Sequence, residues 1–229
     1  KSLEFIELWA FFVCAFPISQ DSSTLEDNMK HKLISSILLP LITLFSLSIF
    51  PDISSADKNA LGTILSIQGV IQLNGRKVSP LQPVYAGDIL ETKEGSKTIV
   101  QLKGIGITAL VNPNSKIQFS NSNSLKLAKG LVRWKAKKRA RQFKVRTQSA
   151  VMGVRGTDFI TTYQRLFNES EIIVLDGKVE FKSATKESDA KIITKGQWGG
   201  IGGRFGNQIG EIIDLPENII TSFKKKTEY

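Results

Sequence analysis

The sequence predicts an all-β fold, a short-stranded twisted β-sandwich or β-roll, with a small C-terminal helix. Apolar and polar residues alternate along most of the chain after residue 62, as they do in strands with one buried face. Turn residues interrupt this alternation at short intervals, for example Asn74 and Gly75. No helical period of apolar residues is sustained before the C-terminus. The segments between turn residues are therefore expected to be strands.

Each expected strand is a short alternating segment that ends at Gly, Asn, Pro or a charged turn. In chain order the predicted strands cover residues 64–73, 98–102, 107–111, 115–119, 124–127, 130–137, 142–147, 158–163, 171–175, 178–182 and 191–194.

The C-terminal segment, residues 199–229, is predicted to be a Gly-rich connector followed by a short helix. The glycines between Gly199 and Gly206 lack the spacing of a phosphate-binding loop, so they are interpreted as a flexible connector. Asp214 can cap the helix, with Pro216 in its first turn and Glu217 completing a capping box. Three basic residues would lie at its negative end: Lys224, Lys225 and Lys226.

Residues 29–56 have the pattern of a secretory signal peptide. A basic stretch follows Met29, an apolar run covers residues 33–50, and small residues stand at Ser54 and Ala56. This pattern predicts cleavage after Ala56 and a periplasmic or secreted product.

The alternative is that the apolar run of residues 33–50 is an uncleaved anchor, because about 18 apolar residues can just span a bilayer. Pro40 and the small-residue site favour cleavage. We interpret residues 1–28, which begin with Lys, as upstream sequence translated from a wrong start.

The predicted mature chain, residues 57–229, has neither Cys nor His, because Cys14 and His31 precede the cut. Its composition excludes disulfides, Cys/His zinc sites, and Ser/His/Asp or Cys/His nucleophile pairs. We therefore expect no cofactor, no metal and no enzymatic activity. We assign residues 57–198 to the all-β domain.

The predicted mature chain is strongly basic. Three of the 31 basic residues and six of the 21 acidic residues precede Asp57, which leaves 28 and 15 and a formal net charge of +13. Between Glu94 and Asp158 there are 14 basic residues and no acidic one. This distribution is typical of a protein with a polyanionic partner. The alternative is a solvated basic face without a partner, which would give the same pattern.

Within this window, basic and apolar residues alternate along two predicted strands. Trp134, Phe143 and Val145 would enter the core, and the cations would form an outward row on a hairpin that residues 138–141 turn. The candidate anion- or partner-binding residues are Arg133, Lys135, Lys137, Lys138, Arg139, Arg141, Lys144 and Arg146.

Such a row would suit anionic lipid, lipopolysaccharide or an acidic cell-wall polymer in the envelope. Nucleic acid is not expected, because exposed aromatic residues do not interleave with the cations and the chain carries an export signal.

A series of short motifs runs through the alternating region, and the most specific reads Val-Arg-Gly-Thr-Asp-Phe at residues 154–159. In chain order the motifs are Gly69 and Val70; Gly87, Asp88, Ile89, Leu90 and Thr92; Asn112, Pro113, Asn114 and Ser115; Gly130; the block of residues 154–159; Asp176, Gly177, Lys178 and Val179; and Gly196 and Gln197. Taken together, over about residues 62–200, they resemble the FecR-type domain.

The resemblance implies an all-β periplasmic domain of Gram-negative bacteria, found in regulators of outer-membrane iron transport and in exported proteins of unassigned role. Two features depart from the family. Lys103 stands before Gly104 where the family often has Asp. Family members that regulate sigma factors carry a cytoplasmic helical domain, whereas 28 residues precede Met29. We therefore expect a stand-alone exported form with no inherited iron-signalling role.

The motif residues have physical interpretations of their own. Gly153 and Gly156 suit tight turns around Arg155, whose fork can point inward to carboxylates such as Asp158 or can contact a partner. Asp88 is interpreted as a turn-stabilising acceptor rather than a catalytic carboxylate. The motif residues assigned structural roles are Gly87, Asp88, Gly153, Val154, Arg155, Gly156, Thr157, Asp158 and Phe159.

The sequence thus predicts a non-catalytic interaction or regulatory module that binds a protein partner in the cell envelope. The alternative is a binder of an anionic envelope polymer or lipid through the basic hairpin. An enzyme would depend on carboxylates alone, and the sequence contains no acid pair at a useful spacing.

Overall fold

The computed structural model describes residues 59–137, 143–154 and 156–228. In this part of the chain there are 17 β-strands, a short 3₁₀ turn and an α-helix. The predicted all-β class with a C-terminal helix is confirmed. The strands form two sheets that share the long strand β9, Ser124–Ala136.

The first sheet is antiparallel throughout. Its other strands are β1 (Gly62–Gln68), β4 (Pro83–Val84), β6 (Lys97–Leu102), β7 (Ile107–Val111), β12 (Asp158–Gln164), β13 (Glu169–Asp176), β16 (Gln197–Ile201) and β17 (Ile213–Asp214). Across the sheet the order is β4, β1, β6, β7, β9, β12, β13, β16, β17.

The second sheet contains β2 (Ile71–Leu73), β3 (Arg76–Lys77), β5 (Ile89–Thr92), β8 (Lys116–Asn121), β10 (Phe143–Arg146), β11 (Ala150–Val154), β14 (Lys178–Ser183) and β15 (Ala190–Thr194). The order is β3, β2, β5, β8, β9, β10, β11, β14, β15. Every pair is antiparallel except β9 with β10, which is parallel.

Strand β9 crosses from one sheet to the other at Gly130. Lys129 still pairs with Lys116 in the second sheet, whereas Gly130 pairs with Tyr163 in the first. Gly130 has φ +98°, and a Cβ at this position would overlap Ser115. The crossing therefore requires glycine, because both the backbone conformation and the available space exclude a side chain.

The core lies between the two sheets, where the inward side chains of the alternating strands meet. Trp134 of the first sheet packs against Phe143 of the second, with ring centroids 6.1 Å apart. The predicted burial of Trp134, Phe143 and Val145 is confirmed, since each is at most 1% exposed. The Trp134 indole donates a hydrogen bond of 2.9 Å to Thr161 Oγ1, which satisfies its polar edge inside the core.

The helix α1, Glu217–Lys226, packs on the outer face of the first sheet. Its Ile220 joins a second apolar cluster with Ile160, Ile173 and Leu175 of β12 and β13. The expectation that Asp214 caps this helix is wrong. Asp214 belongs to β17 and accepts a hydrogen bond from the Gln197 amide, so its carboxylate is used before the helix begins.

Two other expectations are wrong. The glycine stretch is not a flexible connector, because Gly199 and Gly200 lie in β16, which pairs with β13. The predicted basic hairpin is not a hairpin, because β10 pairs in parallel with the first half of β9. The second half of β9 has β7 on one edge and β12 on the other, which leaves no edge for β10. The predicted turn, residues 138–141, lies outside the described residues.

Across residues 59–137, 143–154 and 156–228, none of the helical segments combines the length and the apolar character needed to cross a bilayer.

Candidate partner-binding groove

An open groove of about 840 Å³, here called the crossover groove, lies where β9 passes between the sheets. Three segments line it: residues 113–114 after β7, residues 129–131 of β9, and residues 162–167 at the end of β12 and in the following turn. The hydroxyl of Ser115 accepts a 3.0 Å hydrogen bond from the Leu131 amide, so the first two segments are held together beneath the groove.

The rim of the groove carries two exposed apolar side chains. Leu166 is 86% exposed and Phe167 is 58% exposed, and they are adjacent in the turn between β12 and β13. Adjacent large apolar residues in an exposed turn have no folding role that burial would explain, and such surfaces commonly mark interaction sites.

The turn that presents these side chains is held from beneath. The phenol of Tyr163 donates to Asn168 Oδ1 at 3.0 Å, and burial raises the pKa of this phenol above its ordinary value. The Phe167 carbonyl accepts a 3.0 Å hydrogen bond from the Gly203 amide. Neighbouring Gly202 has φ +85°, and a Cβ there would overlap the Asn168 carbonyl. The glycine stretch, residues 199–206, therefore supports the turn by close backbone contact.

One wall of the crossover groove is basic. A smaller cleft of about 270 Å³ shares Lys129, Tyr163 and Arg165 with the groove. The cleft is also lined by Lys116 and Lys126. Lys116 forms an ion pair with Glu91, and within the described residues Lys126, Lys129 and Arg165 have no carboxylate within ion-pair distance. An apolar groove beside unneutralised cations can bind a segment that carries both apolar and acidic side chains.

The specific motif segment spans the end of β11 and the start of β12. Asp158 accepts two hydrogen bonds from Arg133, at 2.9 Å from Nε and 2.8 Å from Nη2. Phe159 is buried and stacks on Trp134 with centroids 6.4 Å apart. The conformation of Gly156, φ +68°, fits the predicted tight turn. Arg155 lies outside the described residues.

Other predicted motif residues have their contacts within the fold. Asp88, next to Gly87 at φ +91°, accepts hydrogen bonds from the Asn74 amide at 2.7 Å and from the Tyr85 backbone at 2.8 Å. These contacts close the turn before β5. Gly153 and Val154 end β11, and the Thr157 carbonyl accepts a 2.8 Å hydrogen bond from the amide of Ala136.

Residues 88–180 match the family model described as FecR protein. This segment is a FecR domain. The match runs from β5 to β14 and includes every residue that lines the crossover groove. It indicates a regulatory module.

Solved structures similar to the chain include two crystal structures of a candidate anti-sigma factor from Parabacteroides distasonis, at 1.65 and 2.50 Å resolution. They are 15% and 16% identical to the chain, each with a TM-score of 0.49. Each match covers 59% of this chain and 64% or 63% of the other, so the chain spans less than two thirds of either. None of the curated proteins matches the sequence.

The FecR domain divides the predicted row of cations between its two outer faces. Lys135 and Lys137 are exposed beside the first sheet, whereas Lys144 and Arg146 are exposed on the second. Lys138, Arg139 and Arg141 lie outside the described residues.

Arg133 does not belong to an exposed row, and the expectation that it does is wrong. Its side chain points away from the inter-sheet core as alternation requires, but α1 covers that part of the sheet, and the residue is 4% exposed.

Sequence reasoning missed the crossover groove itself. Leu166 and Phe167 could have been noticed as two large apolar residues in a turn otherwise made of polar ones. The basic wall could not have been predicted from the sequence, because Lys116, Lys129 and Arg165 come from three different strands or turns and meet only through the crossing of β9.

Proposed function

We propose that the protein is an exported, non-catalytic regulatory module of the cell envelope that binds a protein partner in the crossover groove. The observation that carries the proposal is the exposed pair Leu166 and Phe167 on the rim of this groove. Exposed apolar side chains are costly in an isolated domain, and covering them is the main favourable term in protein association.

The chemistry of the groove narrows the partner to a segment with apolar and acidic side chains. Apolar side chains would cover Leu166 and Phe167, and acidic ones would meet Lys129 and Arg165 on the basic wall. Because exposed charges act mainly on the rate of encounter and on orientation, we expect the apolar contacts to supply most of the affinity.

Selection from a displayed library of random peptides tests this proposal. The selected peptides are expected to combine acidic and apolar residues and to shift the amide resonances of residues 129–131 and 162–167 of the FecR domain. Replacing Leu166 and Phe167 together by Ser should weaken the binding of such a peptide by at least about tenfold, because two exposed apolar contacts are lost.

A matched control keeps the test specific. Val70 and Ile192 are 51% and 55% exposed and do not line the groove, so replacing both by Ser also removes two exposed apolar side chains. This variant should bind the peptide as the wild type does. Peptides that bind the control and the groove variant equally, or that map elsewhere, would show that the groove is not the partner site.

Export is a separate part of the proposal, supported by the signal-like pattern of residues 29–56. Expression of the full chain in a Gram-negative host, followed by fractionation and N-terminal sequencing, should give a periplasmic protein that begins at Asp57. A product that retains the apolar run of residues 33–50 would contradict cleavage.

A further inference from the structure

A polar pocket of about 480 Å³, distinct from the crossover groove, opens on the outer face of the second sheet. It lies between the β8–β9 turn and β10, which are joined by a 2.9 Å hydrogen bond from the Lys144 amide to the Asn123 carbonyl. Its lining residues are Asn121, Ser122, Asn123, Ser124, Lys144 and Arg146. None of them lines the crossover groove or its basic cleft.

The cations at this pocket have no neutralising partner nearby. Arg146 of this pocket is directly opposite Lys126 of the neighbouring basic cleft in the parallel pair of β9 and β10, and both are exposed. Like charges this close repel each other, and a bound anion would relieve the repulsion. In the described part of the chain, neither they nor Lys144 are within ion-pair distance of a carboxylate. Glu180, two strands from Lys144, pairs with Lys182 at 2.9 Å.

A second observation points independently to a ligand. Ser124 lines the pocket and is 7% exposed, and its Oγ has no hydrogen-bond partner in the described part of the chain. Buried hydroxyls are nearly always hydrogen-bonded, and an unsatisfied one needs an explanation such as a bound water, ion or ligand. A hydroxyl beside two cations is the donor set that proteins use for phosphate oxygens.

We propose that this polar pocket binds the phosphoryl group of a phosphorylated sugar. A phosphate monoester carries close to two negative charges at neutral pH and so matches Lys144 and Arg146, whereas a carboxylate would leave one cation uncompensated. The guanidinium fork of Arg146 suits two phosphate oxygens. The buried Ser124 Oγ can donate to a third once its side chain rotates toward the pocket.

The size and the remaining lining residues favour an attached sugar. A volume of about 480 Å³ holds more than a phosphate group, and the space beyond the cations is bordered by Asn121, Ser122 and Asn123. Amide and hydroxyl groups of this kind can hydrogen-bond sugar hydroxyls. The side-chain Oδ1 of Asn121 already accepts a 2.9 Å hydrogen bond from the backbone N–H of Asn123, which orders the turn before any ligand binds.

Titrations of the protein with glucose 6-phosphate, inorganic phosphate and glucose, followed by amide chemical shifts at low salt, test the proposal. Glucose 6-phosphate should bind more tightly than phosphate, and glucose should not bind. Both anions should shift residues 121–124 and 144–146, and binding should weaken steeply as salt rises, because exposed charges are screened over about 8–10 Å near physiological ionic strength.

Variants separate a built site from general attraction to a basic surface. Replacing Lys144 and Arg146 by Gln should abolish binding, whereas the same change of charge at Lys178 and Lys195, both exposed, should leave it nearly unchanged. Ser124→Ala should weaken the binding of glucose 6-phosphate by about tenfold or more, since a hydrogen bond to a charged group is lost. The same change should not lower the melting temperature, because the hydroxyl has no partner to lose in the described fold.

Vesicles identify the source of the phosphoryl group. Phosphatidylcholine vesicles that contain phosphatidic acid should recruit the domain if the ligand is a lipid headgroup, and glucose 6-phosphate should then compete. Binding of glucose 6-phosphate without recruitment indicates a soluble ligand. Absence of binding to either phosphate compound at low salt, or equal binding by the Lys144 and Arg146 variant, would overturn the proposal and leave a solvated basic face.

Discussion

Arg133 and Asp158 hold each other through two parallel hydrogen bonds of 2.9 and 2.8 Å beneath the C-terminal helix. The same guanidinium donates through Nη1 to the Lys224 carbonyl in the last turn of α1, at 3.3 Å. A single buried cation therefore links strands of the FecR domain to a helix that follows the FecR match in sequence.

Replacing Arg133 by Met should destabilise the protein by about 2–4 kcal/mol, because the change leaves a carboxylate and a carbonyl without their charged donor. The lower part of this range is favoured, since the Asp158 side chain is 25% exposed and water can replace part of the pair. Urea unfolding measures the loss. Lys135→Met, two residues away and exposed, is the control and should change stability by less than about 0.5 kcal/mol. Equal effects would show that Arg133 contributes as a surface charge does.

The crossing of β9 predicts a large difference between two glycine substitutions. Gly130 and Gly75 both have positive φ, +98° and +78°, but a Cβ at Gly130 overlaps Ser115 whereas at Gly75 it meets nothing within 4 Å. Gly75→Ala should therefore cost about 1 kcal/mol from backbone conformation alone. Gly130→Ala should cost at least about 2 kcal/mol more, because the two strands must separate. Similar midpoints in chemical unfolding for the two variants would show that the crossing tolerates a side chain.

The sequence predicted the class of the fold and much of its core, because alternation alone determines which side chains face inward. Trp134, Phe143 and Val145 were placed correctly on this basis. Alternation does not say which strands are neighbours. The pattern predicts two strands at 124–127 and 130–137, whereas the single strand β9 joins two sheets through a glycine that marks no turn.

The errors at the candidate sites have the same origin. Arg133 faces away from the core as predicted, but the helix that covers it comes from more than 80 positions later in the chain. Lys144 and Arg146 were expected to lie beside Lys135, yet the parallel pairing of β10 places them on the other sheet next to Ser124. Such long-range pairings carry no signal in a local pattern of residue types.

The docking of α1 can be tested with two adjacent isoleucines. Ile220 is 3% exposed and packs on Ile160 and Ile173, whereas Ile219 is 39% exposed. Ile220→Ala should lower stability by about 2–4 kcal/mol through lost burial and an unfilled cavity. Ile219→Ala removes the same groups at the same helix propensity and should cost less than about 1 kcal/mol. Thermal unfolding measures both changes. Small and similar losses of stability for Ile220→Ala and Ile219→Ala would show that the helix does not dock on the sheet in solution.

The pH dependence of stability should reveal the raised pKa of Glu171, whose carboxyl lies next to the glycine stretch. Burial raises the pKa of the Glu171 carboxyl, the nearby Glu169 raises it further, and Arg204 partly opposes both. A raised folded pKa means that the folded protein binds more protons than the unfolded chain between the ordinary value of 4.5 and the raised one. The stability contributed by protonated Glu171 is therefore present below pH 4.5 and is lost as the pH rises through the folded pKa.

Glu91 provides the opposite case in the same protein, because its hydrogen bond with Lys116 lowers the pKa of its carboxyl. Its contribution is present above the ordinary value of 4.5 and is lost as the pH falls through the lowered pKa. Urea unfolding across this pH range should be compared for the wild type, Glu171→Gln and Glu91→Gln. Relative to Glu171→Gln, the wild type should lose stability as the pH rises above about 4.5, and relative to Glu91→Gln it should lose stability as the pH falls below that value. The wild type and Glu171→Gln could instead show the same dependence of stability on pH. That result would mean that water reaches the Glu171 carboxylate in solution. The glycine stretch would then pack more loosely over the β12–β13 turn than the contacts of Gly202 and Gly203 indicate.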